Sequence, residues 1–184
     1  MRVTISWPPF SDGWEIIVVR PVAQPSLEEY GLDDKLLHLI GDLQNQGPLV
    51  SGMPGSGKST LASAIAHWLD GKGSIVKTME SPRDLQLPQR VTQYAPLAED
   101  ERSRGSMELT ADILFLARPD FIVFDEVRKT VDFKVFTDLR LSGVGMIGVI
   151  HANDPINSIQ RFIGRLELGI ISSVIDTVIF AVSY

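Results

Sequence analysis

Gly52-Met53-Pro54-Gly55-Ser56-Gly57-Lys58-Ser59 is the stretch that decides the fold of this 184-residue chain. Its first and sixth positions are glycine and its last two are Lys-Ser, which is the Walker A spacing, and it lies between a short apolar run and an amphipathic one. Glycines let successive backbone N–H groups turn inward around an anion, and the helix that follows adds its partial positive charge at the same point. Pro54, Gly55, Ser56 and Gly57 are therefore read as a phosphate cradle. Lys58 is placed to neutralise the β and γ phosphates of ATP, the Ser59 hydroxyl to hold Mg2+, and Thr60 to follow inside the helix. An ordinary Gly/Pro turn before a helix is the plainer alternative, and the full spacing in this context weighs against it.

Working outward, short β-branched runs alternate with helical patterns, as expected of a parallel sheet covered on both faces. Strands are predicted at 48–51, 74–79, 121–124, 146–150 and 177–182. Helices are predicted at 58–69, 106–117, 131–141 and 156–166. Before the loop, Leu36, Leu37, Ile40 and Leu43 recur at helical spacing, and Gly47-Pro48 should stop that helix. Residues 2–20 read as a β-hairpin turning at Pro8-Pro9-Phe10-Ser11-Asp12-Gly13, followed by a linker over 21–25. Segment 80–104 carries Pro82, Pro88 and Pro96 without a clear period and is expected to be irregular. The predicted class is α/β, a P-loop NTPase with a mostly parallel sheet and a small N-terminal hairpin lobe. Residues 1–25 form the hairpin and linker, and 26–184 the nucleotide-binding domain.

Composition narrows the chemistry. No cysteine is present, which removes disulfides, thiolate zinc sites and cysteine nucleophiles together. The three histidines, His38, His67 and His151, have no ligand spacing that pairs them on a metal. No apolar run approaches the roughly 20 residues of a membrane span, and the N-terminus lacks a signal-peptide layout, so a cytoplasmic protein without membrane insertion is expected. A net charge of -6 argues against a surface that is basic throughout, while leaving room for a local patch that meets nucleic acid. Lys129, Lys134, Arg140, Arg161 and Arg165 could form one, but Asp132, Asp138 and Glu167 interleave with them as on any solvated helix. Because the chain opens and closes almost inside strands, it reads as a domain excised from a longer protein, with a compact protein of tidy ends as the alternative.

Ligands of open parallel sheets sit beyond the carboxyl ends of the strands. Phe121-Ile122-Val123-Phe124 runs into Asp125-Glu126, the form of a Walker B element in which Asp125 orders the magnesium shell. Glu126 is then placed to hold or polarise the attacking water. A second carboxylate, Glu80, closes the 74–79 strand and competes for the same role. His151, at the end of the 146–150 strand, or Asn153 just beyond it, could sense the γ phosphate through a hydrogen bond.

Several motifs together resemble the PilT-like branch of the RecA-like P-loop ATPases, the motors of secretion, pilus retraction and the archaellum. Thr78-Met79-Glu80-Ser81-Pro82 is similar to that family's Asp box, Arg118-Pro119-Asp120 through Asp125-Glu126-Val127-Arg128 to its Walker B, and His151-Ala152-Asn153-Asp154 to its His box. Ser81 stands where the Asp box usually has an acid, and the tetracysteine zinc element of the type II secretion motors is absent. The resemblance implies Glu80 as the general base and an arginine reaching across a subunit boundary, for which Arg20 is the candidate and Arg83 and Arg104 weaker ones. Pro8 through Ile16, Val19-Arg20-Pro21 and Asp125 through Thr130 are most similar to archaeal PilT-like ATPases that also carry PIN and KH domains. That subgroup implies a homo-hexameric ATPase acting on branched DNA, a helicase or translocase that migrates Holliday junctions, with junction-processing proteins as partners. A motor for a pilus, archaellum or secretion assembly is the alternative.

Overall fold

The computed structural model describes residues 2–20, 24–42, 47–96 and 106–182. In chain order the elements are β1 (Arg2–Ser6), β2 (Glu15–Val19), a 3-10 turn (Glu28–Tyr30), α1 (Asp34–Gly41), β3 (Pro48–Gly52), α2 (Lys58–Gly71), β4 (Val76–Glu80), β5 (Thr92–Tyr94), α3 (Met107–Ala117), β6 (Phe121–Asp125), α4 (Thr130–Leu141), β7 (Gly145–His151), α5 (Pro155–Ile163), α6 (Leu168–Val174) and β8 (Thr177–Ala181).

Six strands form one parallel sheet in the order β5-β4-β6-β7-β3-β8. β3 and β6 are buried along their whole length, so Leu49-Val50 and Phe121 through Phe124 are apolar on successive residues instead of alternating with polar ones. Neighbouring residues nevertheless serve opposite faces. Val50, Val123, Ile147 and Val149 pack under α1 and α2. Leu49, Ile122, Phe124, Met146 and Ile150 pack against the opposite cluster, where Phe133, Phe136 and Phe162 meet edge to face. The sheet is thus covered on both sides, as expected of a RecA-like α/β domain.

β7 separates the phosphate-loop strand β3 from the acidic strand β6. In register, Gly52 of β3 faces His151 of β7, and Glu80 of β4 faces Asp125 of β6. The motifs found in the sequence therefore end at one sheet edge. Close approach at the start of β3 demands a glycine: a Cβ on Gly47 would lie 2.1 Å from the Val174 carbonyl oxygen.

Apart from the sheet, β1 and β2 pair antiparallel around the Pro8–Gly13 turn, with Trp7 stacked on Trp14 at 5.9 Å. Most of this ribbon's apolar side chains are exposed, Phe10 at 86% and Ile16 at 66% among them.

Several elements depart from the expectations above. The helix carrying Leu36, Leu37 and Ile40 ends at Gly41, six residues before the Gly47-Pro48 stop; Leu43 lies outside the described residues. Segment 80–104 is not wholly irregular, because 92–94 adds an edge strand beside β4, where lateral pairing supplies the hydrogen bonds that sequence period does not reveal. The helix expected at 156–166 stops at Ile163, followed by Gly164 as C-cap, and a separate seven-residue α6 follows.

Candidate active site

α1, α3 and α5 each have a side-chain N-cap, supplied by Asp33, Ser106 and Asp154. α2 does not. Its N-cap is Gly57, at φ 84° in the left-handed region, so its first amides are left for something other than a side chain. Gly55 is left-handed as well, at φ 79°, and neither glycine has an atom within 4 Å of where a Cβ would stand. Ser56 Oγ in the same loop is buried without a hydrogen-bond partner. An uncapped helix start, open space over two glycines and an orphaned hydroxyl together fit a phosphate chain. Gly52 is needed for a different reason: a Cβ there would strike the Ala181 carbonyl oxygen and Ser56 Oγ, each at 2.5 Å.

Lys58 is only 5% exposed, and its Nζ donates to the Met53 carbonyl oxygen at 2.6 Å. Burial pushes its pKa down, opposed by the charges of Glu126 and Asp125. One residue on, Ser59 Oγ donates to Asp125 Oδ1 at 3.0 Å. Asp125 is pushed up to about 6, first by burial and then by the nearby charges of Glu80, Glu126 and Asp84, against the lowering effect of the Ser59 hydrogen bond. Such a carboxyl is short of positive charge, which fits a divalent cation. Among the described residues no three histidines or acids form a metal cage. Ser59 and Asp125, side by side, fit Mg2+, which is held through one or two protein groups together with substrate phosphates.

Lys58, Ser59, Thr60, Asp125, Glu126 and His151 line one cavity of about 350 Å³ with Gly55, Gly57 and Asp84. Within it, His151 Nε2 lies 2.8 Å from Glu126 Oε1. The imidazole pKa is lowered, chiefly by burial and also by Lys58, Arg161 and Arg128, against the pull of Glu126. A neutral ring therefore donates through Nε2 and leaves Nδ1, which is buried and has no partner, as the acceptor. On the other carboxylate oxygen of Glu126, Arg128 Nε stands at 3.6 Å.

Glu80 is engaged differently. It is fully buried, and all four acceptor directions of its carboxylate are taken. Oε1 accepts from Thr78 Oγ1 at 2.5 Å and Gln93 Nε2 at 2.9 Å; Oε2 accepts from the Asp84 and Leu85 amides at 2.7 and 2.9 Å. Its effect is to anchor the turn that brings Asp84 to the cavity and to tie the edge strand β5 to β4.

Arg20 is exposed at the end of β2 and lines a second cavity, about 390 Å³, with Ser59, Thr60, Asp84 and Gln86 of its own chain. Arg83 lies on the surface of the loop after β4, and Arg104 lies outside the described residues. Asn153 is on the other side of His151, lining an open groove with Pro54, Arg161 and Arg165. Sequence reasoning gave no place at this site to Asp84 or Gln93, read Thr78 only as part of the Asp-box motif, and weighed Arg161 only as one of five cations of a possible nucleic-acid patch. Asp84 carried a signal, an acid four residues after Glu80; Thr78 comes into place through β4, Gln93 through β5 and Arg161 through α5.

Phosphate loop, acidic strand end and strand order together define a P-loop ATPase domain of the RecA-like, PilT type. The chain belongs to the type II/IV secretion system protein family, whose model matches residues 2–183. It is 55% identical over 180 residues to an uncharacterized KH and PIN-domain containing protein of Methanocaldococcus jannaschii, covering 98% of this chain and 27% of that protein. It is 48% identical over 179 residues to the Holliday junction branch migration ATPase PINA of Sulfolobus acidocaldarius, covering 97% of this chain and 34% of that one. Among solved structures, the ATPase DotB of Legionella pneumophila superposes with a TM-score of 0.68 at 20% identity, over 97% of this chain and 52% of DotB, a likeness of fold. The chain thus spans about a third or less of the curated relatives it matches. Among the described residues no helix is long and apolar enough to cross a membrane.

Proposed function

We propose that this chain is the ATP-hydrolysing engine, residues 26–184 with the hairpin segment 1–25 in front, of a homo-hexameric motor that drives branch migration of Holliday junctions. The observation that carries the engine is the meeting of Lys58, Ser59, Asp125 and Glu126 in one cavity at an uncapped helix start. Identity of 48% to PINA along nearly the whole chain supports the branched-DNA substrate, and with it junction-processing proteins as partners.

In this reading Pro54 through Gly57, with Thr60, wrap the phosphates, and Lys58 neutralises the terminal ones. Ser59 and Asp125 would hold Mg2+, whose charge offsets that of the phosphates when bound. Phosphoryl transfer asks the protein mainly for orientation and charge compensation. Glu126 meets that need: it lines the cavity, its side chain is 24% exposed, and His151 steadies one of its oxygens while Arg128 Nε stands 3.6 Å from the other. Glu80, the base implied by family resemblance, has no free acceptor direction, so its part is to anchor Asp84 and the turn around it. Arg20 shares a cavity with Ser59 and Thr60 of its own chain, which supports a part for it in adding positive charge near the nucleotide.

A salt series of ATPase rates tests the substrate. Stimulation by a four-way DNA junction that falls steeply with salt is the expected outcome. ATP turnover indifferent to DNA and salt would instead support the motor of a pilus, archaellum or secretion assembly, the reading the family match favours.

A further inference from the structure

Arg161 sits on α5, outside the cavity that holds Lys58 and Glu126, yet its Nη1 donates to the His151 backbone carbonyl at 2.6 Å. His151 is the last residue of β7, and its side chain is the one that engages Glu126. On the β3 side the same chain segment is held by the Ala152 amide, which donates to the Gly52 carbonyl at 3.2 Å. On the α5 side, Arg161 supplies the hold.

The arginine is itself fixed from the direction of Glu126. Its guanidinium carbon lies 5.9 Å from the centroid of Phe133, a fully buried ring on α4, the helix that follows Glu126. Cation–π attraction at that range is modest but directional. Arg165 covers the same ring at 4.7 Å and donates to the Arg161 carbonyl, which closes the arrangement. One guanidinium therefore touches both α4, the helix that follows Glu126, and the end of β7, which carries His151.

We propose that Arg161 is a positioning residue for ATP hydrolysis: through the His151 carbonyl it sets where the imidazole meets Glu126. This rests on Glu126 and His151 acting as argued under the proposed function. Misplacing a catalytic pair by a fraction of an ångström costs turnover without costing nucleotide affinity.

The test is a double-mutant cycle on the full chain, reading kcat and KM for ATP. Arg161→Gln is expected to lower kcat on the order of 10-fold while KM moves less than about 2-fold. In a His151→Gln background the same change should cost nothing further, which a merely structural role would not produce. Arg161→Lys, which keeps a cation and a donor, should recover much of the loss; should Arg161→Gln not fold, Arg161→Met, which keeps the stem and removes the donor, takes its place in both backgrounds. Equal losses with and without His151, or no loss at all while His151→Gln and Glu126→Gln are impaired, would overturn this inference alone. Wild-type turnover in Glu126→Gln would overturn the reading of the site beneath it.

Discussion

The hydroxyl of Ser59 and the carboxylate of Asp125 stand 3.0 Å apart, although 66 positions separate them in the chain. The sheet brings them together. Ser59 is the second residue of the helix after β3, Asp125 closes β6, and β7 lies between those two strands.

The two candidate bases should separate by stability as well as by rate. Glu126→Gln is expected to lower kcat by roughly 100-fold or more. Its melting temperature should stay close to that of the unchanged chain, since the side chain is partly exposed and loses only one strong partner. Glu80→Gln replaces two acceptor oxygens by one and sets an amide donor against Thr78 or Gln93. A loss of about 1–3 kcal/mol of stability is expected. Denaturant unfolding of both variants, beside their turnover, makes the comparison; a Glu80→Gln protein of full stability would contradict the anchoring role.

Stability of the nucleotide-free chain should fall as pH rises through the range set by Asp125. Its folded pKa, about 6, is above the ordinary 3.8, so the folded state binds the extra proton between those values. The contribution is fully present below about pH 3.8, is lost as pH climbs toward 6, and stays lost above it. Two units correspond to about 3 kcal/mol as an upper figure. Asp125→Asn should therefore unfold at higher denaturant than the unchanged chain at pH 7 and close to it near pH 4, while losing ATP turnover. An Asn variant less stable than the unchanged chain at pH 7 would contradict this account.

Gly145→Ala is expected to weaken the fold without touching the chemistry directly. A Cβ there would stand 2.5 Å from Phe121 Cδ1 and 2.9 Å from the Asp120 carbonyl oxygen, and backbone gives way less readily than a flexible side chain. Overpacking of this kind costs about 1–3 kcal/mol. Urea unfolding would register it, and an unchanged midpoint would show that β6 and β7 can shift apart at their start.

How much of this was legible in the sequence depends on how local the cause was. The phosphate loop, the strand that feeds it and the acids ending β6 could be read because each is a contiguous pattern with a physical reason for its spacing. β5 was missed because three residues carry no period, and α6 because Gly164 breaks a helical pattern that seemed to continue to Leu166. Glu80 shows the limit most clearly. Its motif marks it as a carboxylate at a strand end, but whether it is free to act depends on Gln93, on an edge strand, and on two amides of the following turn. None of these is visible as a pattern. The strand end and the His-box resemblance point to His151 as a residue of the nucleotide site, and it lines the cavity with Lys58; its hydrogen bond to Glu126 is a contact that no sequence pattern shows.

The most direct measurement is calorimetric titration of ATP with Mg2+ into the unchanged chain and into Lys58→Met, which keeps the buried stem and removes the charge. The unchanged chain should bind, and the variant should bind at least about 10-fold more weakly, as expected when a charge-assisted contact to phosphate is lost. Equal affinity in the two proteins would contradict the claim that the loop from Gly52 to Ser59 holds the nucleotide.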